Sequence, residues 1–268
     1  MDFASLLSAL LMGIVEGVTE FLPISSTGHL ILLGEAIGFQ GPPGKTFEIS
    51  IQLGAILAVI WLFRATIWRI ATGMWRIGSH EYYFALNLLL AFLPALVLGA
   101  TLYKTVTELL YTPFVVALAL ILGGVVILAI ERWRPAPQIH SVPEIGPLAA
   151  LLIGFGQALA MIPGTSRSGA TIISALLVGV DRRTAAEFSF LLAIPTMVAA
   201  TVFSLWKNRS DLDFSGAGLI AVGFLTAFLV SLLVVRWLMS VISRIGFTPF
   251  AWYRIGLGLL IMAWLALR

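Results

Sequence analysis

Four stretches of this chain, residues 82–103, 109–130, 188–206 and 214–235, each run far enough to cross a bilayer without one charged side chain. A helix needs about 20 mostly apolar residues to cross hydrocarbon, so these runs decide the medium before anything else is considered. A fifth run, 245–267, is interrupted only by Arg254 near its start. A sixth, 49–63, reaches spanning length if Phe47 and Trp68 mark its ends. Lipid satisfies no backbone hydrogen bond, and nothing here alternates as a barrel strand does, so every run is predicted to be helical. Composition agrees, because only 11% of the 268 residues are charged, against about 25% in a soluble domain. With a mean hydropathy of +1.03, a soluble enzyme built on one core is excluded.

The basic balance does not point to nucleic acid. The formal charge is +3, from 16 basic and 13 acidic residues, and the basic residues stand singly or in pairs. No cysteine is present, which excludes disulfides, thiolate metal sites and cysteine nucleophiles. No Lys or Arg precedes Lys45, so the amino terminus is not expected to act as a secretory signal or transit peptide.

Two regions depart from the spanning pattern. Segments 3–15 and 21–34 are short apolar pieces with Glu16 and Glu20 between them and Pro23 and Gly28 at the break. Segments 145–166 and 168–180 flank Arg167, with Pro163, Gly164 and Gly169 at the break. Proline and glycine end helices, so each region is predicted to be a re-entrant pair of half-helices meeting at a polar tip. The halves also resemble each other. PISSTG at 23–28 matches PGTSRSG at 163–169 with one insertion, FEIS at 47–50 matches AEFS at 186–189, and YTPF at 111–114 matches FTPF at 247–250. Three matches in one order at nearly one offset predict a duplication, residues 1–134 and 145–268. Each copy holds one re-entrant pair and three spans, so the second inserts upside down. The expected fold is therefore an all-α polytopic membrane protein with six transmembrane helices and two re-entrant pairs in an inverted-topology repeat. One face then receives Arg64, Arg69, Arg76, Arg132, Arg134, Arg182, Arg183, Arg236 and Arg244, and the other Lys45, Lys104, Lys207, Arg209 and Arg268. The richer face is assigned to the cytoplasm, and the first tip opens outward.

The polar residues gather at the two tips. Glu16 and Glu20 stand four apart, so on a helix both carboxylates project from one face. Such a pair at bilayer depth calls for water, a cation or a proton. Ser25, Ser26, Thr27, Gly28 and His29 follow, opening a half-helix whose unpaired N–H groups suit a phosphate. His29 is a candidate nucleophile or general acid/base; His80 and His140 fall in polar loops and are expected to be solvated. The second tip supplies Thr165, Ser166, Arg167, Ser168 and Thr171, and the Arg167 fork matches phosphate in two-point fashion. Only the first copy carries acid/base groups and only the second an anion clamp. Glu48 and Glu187, with Ser50 and Ser189 two residues on, either support the site or tie the copies together. The glycines of GIVEG (13–17) and those around Gly258 permit close helix approach, within one chain or in a homodimer.

EGVTEFLPISSTGH together with PGTSRSGAT is similar to the bacterial undecaprenyl-diphosphate phosphatase family, also called the bacitracin-resistance family. The likeness continues through FEISIQLGAILAV and EFSFLLAIPTM, over essentially the whole chain. The resemblance implies hydrolysis of undecaprenyl diphosphate to the monophosphate and inorganic phosphate, recycling a lipid carrier for peptidoglycan synthesis. It also implies a bacterial inner-membrane location, action at the outer (periplasmic) face and stimulation by a divalent cation. It assigns the acidic motif to Glu16 and Glu20, the serine-histidine motif to Ser25, Ser26, Thr27 and His29, and the arginine motif to Ser166, Arg167, Ser168 and Thr171. The resulting expectation makes Glu20, Ser26, His29 and Arg167 catalytic and has Ser25, Thr27, Gly28, Ser166, Ser168 and Thr171 bind substrate. Glu16 and Glu20 would hold Mg2+ or Ca2+. The attacking group is Ser26 activated by His29, His29 itself, or water. The competing class is a polyprenyl-phosphate flippase, since broken helices in inverted repeats are also transporter architecture. No nucleic-acid partner is expected.

Overall fold

The computed structural model describes residues 3–39, 46–207, 209 and 216–267, without the side chains of 103–105, 107 and 108. Of the cations used above for orientation, Lys45, Arg268 and the Lys104 side chain lie outside this description. The chain is all-α: α1 (Phe3–Thr19), α2 (Ser26–Ile37), α3 (Thr46–Leu62), α4 (Arg64–Gly73), α5 (His80–Leu110) and α6 (Pro113–Trp133) are followed by α7 (Pro147–Ala158), α8 (Arg167–Leu177), α9 (Arg182–Lys207), α10 (Ala217–Ile245) and α11 (Thr248–Ala266). Five helices are long and apolar enough to cross a membrane, and α3 with α4, bent by 74° at their junction, make a sixth when the pair is counted as one broken span.

That bend corrects the expected span to Trp68. Arg64 and Arg69 would be carried into hydrocarbon by a straight helix, at about 2.5–3.5 kcal/mol each. Instead the helix breaks at Phe63. Arg64 donates to the Trp61 carbonyl at 2.8 Å and stacks 4.9 Å from the Trp61 ring centroid, and no residue of α4 is buried. Two other boundaries shift by one mechanism. Leu109 and Leu110 complete α5, and a new helix starts where Thr112 accepts from the Val115 N–H at 3.3 Å with Pro113 behind it. Ile245 likewise completes α10, which Gly246 ends at φ 63° before Thr248 and Pro249 restart the chain. Apolar continuity conceals both restarts because proline costs nothing at a helix start. The stretch expected from 214 begins as helix at Ala217 and continues to Ile245, with Arg236 and Arg244 in its last turns; Phe214 is outside the described residues. His80 opens α5 rather than sitting in a loop, and His140 contacts Asp181 at 3.3 Å.

Helices approach through small residues. A Cβ on Gly13 or Gly17 of α1 would meet Gly223 or Val230 of α10 at 2.6 and 2.7 Å, and one on Gly258 of α11 would meet Ile121 of α6 at 2.6 Å. Gly13, Gly17 and Gly258 are therefore occupied by helix contacts within the chain, whereas Gly256 of the same motif is open. The α3–α10 seam is tighter still, since a Cβ on Gly54 would run into the Phe224 carbonyl. Gly54→Val is expected to destabilise by about 1–3 kcal/mol, the usual effect of overpacking. Gly256→Ala, which would meet nothing within 4 Å, is expected to be neutral. Thermal unfolding in detergent separates the two, and equal midpoints would contradict this seam.

Candidate active site

The short helices α1, α2, α7 and α8 form two broken pairs whose breaks meet inside the bundle. Each second half-helix begins after a serine in the left-handed region, Ser25 at φ 70° and Ser166 at φ 73°, the only non-glycine residues so placed among the described ones. Ser166 Oγ accepts the Gly169 N–H at 3.1 Å, whereas Ser25 makes no such cap. The breaks are stitched together. Ser168 Oγ donates to the Leu22 carbonyl at 2.8 Å. Arg254, fully buried on α11, donates to the carbonyls of Pro23 and Gly164, one in each break, both at 3.1 Å, and to Ala119 and Leu120 of α6 at 3.0 and 3.3 Å.

On this floor stands a polar cluster. Glu16 and Glu20 are both buried, 2% and 8% exposed. Glu20 Oε2 accepts from the Ser26 hydroxyl at 2.5 Å, and Oε1 pairs with Arg167 Nη2 at 3.2 Å. Arg167 Nη1 donates to the Ser189 carbonyl at 3.0 Å, and its guanidinium lies 5.6 Å from the Phe21 ring centroid. An acceptor, a hydroxyl and a phosphate-matching cation thus touch, contributed by both halves of the sequence. Glu16 lies on α1, one turn before Glu20, and is the more deeply buried of the two. Buried beside a second carboxylate one helical turn away, it needs a proton or a cation.

His29 is oriented differently from the expectation that it serves Ser26. Its Nδ1 donates to the Ser25 carbonyl at 2.8 Å, which leaves Nε2 to accept from the Tyr253 hydroxyl at 2.7 Å. The two rings stack, 5.5 Å apart and 5° from parallel. Ser26 turns to Glu20 instead. The other expected phosphate ligands divide. Ser25 and Gly28 are buried, Gly28 against Val116, and Thr27 is exposed. Ser166 and Ser168 bond each other at 3.0 Å and turn to the Leu22 carbonyl, while Thr171 pairs with Ser189 Oγ. All three fasten the tips. Of the two matching Glu and Ser pairs, Glu48 is exposed and Ser50 bonds its own helix, so only Ser189 reaches the cluster. Tyr253 and Arg254 were not singled out from sequence. A lone arginine inside an apolar run was the available signal for Arg254; Tyr253 had none.

Among the described residues no group of three or more His, Cys, Asp or Glu gathers as a metal site. The two carboxylates still fit Mg2+ or Ca2+ in the way such ions are held on phosphate substrates, by one or two carboxylates with phosphate and water completing the shell. A cavity of about 290 Å3 adjoins Arg167 between α5, α7 and α9.

Comparison with known proteins places the chain among relatives of one family. The undecaprenyl-diphosphatase 2 of Paramagnetospirillum magneticum is 55% identical over 98% of this chain and all of its own length. The undecaprenyl-diphosphatase of Sphingopyxis alaskensis is 52% identical, covering 97% of this chain and 98% of its own. That of Bordetella avium is 48% identical over 96% of each. The profile of the family described as bacitracin resistance protein BacA matches residues 9–260, spanning both broken pairs and every residue of the cluster, and the chain belongs to that family.

Proposed function

We propose that this chain is a membrane phosphatase that hydrolyses undecaprenyl diphosphate to undecaprenyl phosphate and inorganic phosphate, recycling the carrier for peptidoglycan synthesis and conferring bacitracin resistance. The observation that carries the reading is the Ser26–Glu20–Arg167 contact, a carboxylate held between a hydroxyl and a guanidinium. Phosphoryl transfer asks for positioning and charge neutralisation. Arg167 holds the terminal phosphate, and Ser26 Oγ attacks its phosphorus while its proton passes to Glu20. The bond from phosphorus to the bridging oxygen breaks, and the lipid monophosphate leaves with that electron pair. Water then attacks the phosphoserine, giving inorganic phosphate and restoring the hydroxyl. His29, paired with Tyr253, stands beside Ser25 to move a proton at the leaving or entering oxygen. Glu16 and Glu20 would hold Mg2+ or Ca2+, which when bound neutralises charge on the diphosphate. The duplicated, inverted halves 1–134 and 145–268 supply one tip each, a reading supported by the recurring helix order. The protein sits in the inner membrane with the site open to the outer face, in keeping with the excess of arginine on the opposite side.

The test is phosphate release from undecaprenyl diphosphate by the purified protein in detergent. Removing Mg2+ and Ca2+ with EDTA is expected to lower the rate at least about tenfold, and Glu16→Gln to flatten its response to added cation. A folded protein that releases no phosphate, with or without cation, would refute the phosphatase. Tyr253→Phe deletes one hydrogen bond to His29 and is expected to lower kcat by about five- to tenfold. An unchanged pH–rate profile in that variant would remove the pair from the mechanism.

A further inference from the structure

A second cavity, of about 350 Å3, opens at the arginine-rich end of the bundle, where Arg134, His140, Asp181, Arg182, Arg183 and Ser243 line it. It is separate from the catalytic cluster, because Arg182 precedes Ser189 by about two turns of α9, or about 10 Å along the axis. Its frame is stapled in place. The Gln138 N–H donates to the Gly179 carbonyl at 2.8 Å, the Asp181 N–H to the Ile139 carbonyl at 2.9 Å, and the Thr184 hydroxyl to the His140 carbonyl at 2.9 Å. These bonds fix the loop after α6 against the start of α9. Two of the lining charges are committed. Arg182 Nε donates to Glu131 Oε1 at 3.1 Å, and that oxygen also accepts the Phe247 N–H at 2.7 Å. Asp181 accepts the Thr184 N–H at 2.9 Å, with His140 Nδ1 3.3 Å from its other oxygen. Glu187 lies near Arg183, but Arg69 of α4 is near it too. Arg69, Arg134, Arg182 and Arg183 thus outnumber Glu131, Asp181 and Glu187, and the lining keeps a positive excess on Arg134 and Arg183. Trp68, Trp75 and Trp133, the last beside Arg134, are all exposed. Exposed tryptophans among arginines mark the headgroup level of a bilayer, so the cavity opens where lipid phosphates lie.

We propose that this cavity seats the phosphate head of an anionic membrane lipid, with Arg134 and Arg183 meeting the phosphate and the acyl chains leaving past Trp133. A guanidinium fork matches phosphate oxygens in two-point fashion, and anionic lipids gather at basic segments at the membrane surface. A zwitterionic head brings its own cation to a lining that already has a positive excess, so it is disfavoured. A soluble phosphate ester carries the charge but lacks the chains that Trp133 would cover. The bound lipid would tie together the ends of α6, α9 and α10. The assignment does not depend on the phosphatase reading, since none of these residues belongs to the catalytic cluster.

The test measures binding of dihexanoyl phosphatidylglycerol, dihexanoyl phosphatidylcholine and glycerol 3-phosphate to the full-length protein, stripped of lipid in detergent. The wild type is expected to bind phosphatidylglycerol at least about tenfold more tightly than either of the others. Replacing both Arg134→Gln and Arg183→Gln is expected to weaken phosphatidylglycerol by about ten- to a hundredfold and to leave phosphatidylcholine unchanged. Ser243→Trp fills the cavity without changing its charge and is expected to weaken phosphatidylglycerol to a similar degree. Arg76→Gln removes a charge from the same end but outside the lining, and is expected to bind as the wild type does. Equal wild-type affinity for the two lipids overturns the proposal. So does equal weakening by Arg76→Gln, which would make the attraction a diffuse property of the surface. Glycerol 3-phosphate binding as tightly as phosphatidylglycerol gives the cavity to soluble phosphate esters and overturns the lipid assignment. Wild-type affinity in both the double variant and Ser243→Trp removes the cavity from lipid binding. The thermal midpoint without added lipid checks that the double variant is folded, and Ser243→Trp decides the matter if it is not.

Discussion

Replacing Arg167 with alanine is expected to lower phosphate release by about 10^3–10^5-fold, the range seen when an arginine that neutralises a transferring phosphoryl group is removed. Arg167 is the point where the second half of the sequence enters the cluster: it pairs with Glu20 at 3.2 Å and is set by the Ser189 carbonyl at 3.0 Å. The substitution has a second effect, because it strands the Glu20 carboxylate, 8% exposed, without its counter-charge. Breaking one side of a buried pair typically destabilises by about 3–5 kcal/mol. The double variant Arg167→Ala with Glu20→Gln separates the effects. Its thermal midpoint is expected to recover toward wild type while its rate stays at the floor. Arg167→Lys keeps the charge but lacks the fork, and is expected to fall between. Substantial turnover by a folded Arg167→Ala protein would refute the clamp.

The largest loss of stability is expected from Arg254→Met. The Arg254 guanidinium is fully buried and serves four carbonyls, on Pro23, Gly164, Ala119 and Leu120. Methionine fills the volume and leaves those oxygens without this donor. At roughly 1–3 kcal/mol for each oxygen left unsatisfied, a total of at least about 3 kcal/mol is expected. For a chain of this size that lowers the thermal midpoint by about 10 °C. Activity should fall as well, because the two breaks lose their common register and a misplacement of about 1 Å costs on the order of 10^2 in rate. Lysine reaches fewer acceptors and is expected to recover less than half of either loss. Gly123→Ala attacks the same point from the other side, since its Cβ would collide with the guanidinium. A variant at Arg254 with wild-type midpoint and rate would contradict the role of these bonds.

Much of the architecture was legible before any coordinates, for definite physical reasons. Charge-free runs announce spanning helices, and proline, glycine and ionisable residues announce the broken pairs. Helix ends were less legible. Thr112–Pro113 and Thr248–Pro249 start new helices inside apolar text, and hydropathy alone does not register a cap. The bend at Phe63 follows from arginines that a sum of apolar residues outweighs. At the site, short motifs name residue types but not directions. Glu20, Ser26 and Arg167 converge, yet Ser26 faces Glu20 rather than His29, and Ser166, Ser168 and Thr171 turn to backbone and to Ser189. The partners that complete the picture come from remote sequence. Tyr253 meets His29 across 224 positions, and no local pattern encodes such a distance.

The four bonds of Arg254 also bear on motion. One guanidinium holds a carbonyl from each break and two from α6, so neither tip can tilt without the other. Rocking one half against its counterpart would part these donors from their acceptors in a place where no solvent replaces them. The floor of the site behaves as a single block, ready for chemistry without a closing lid.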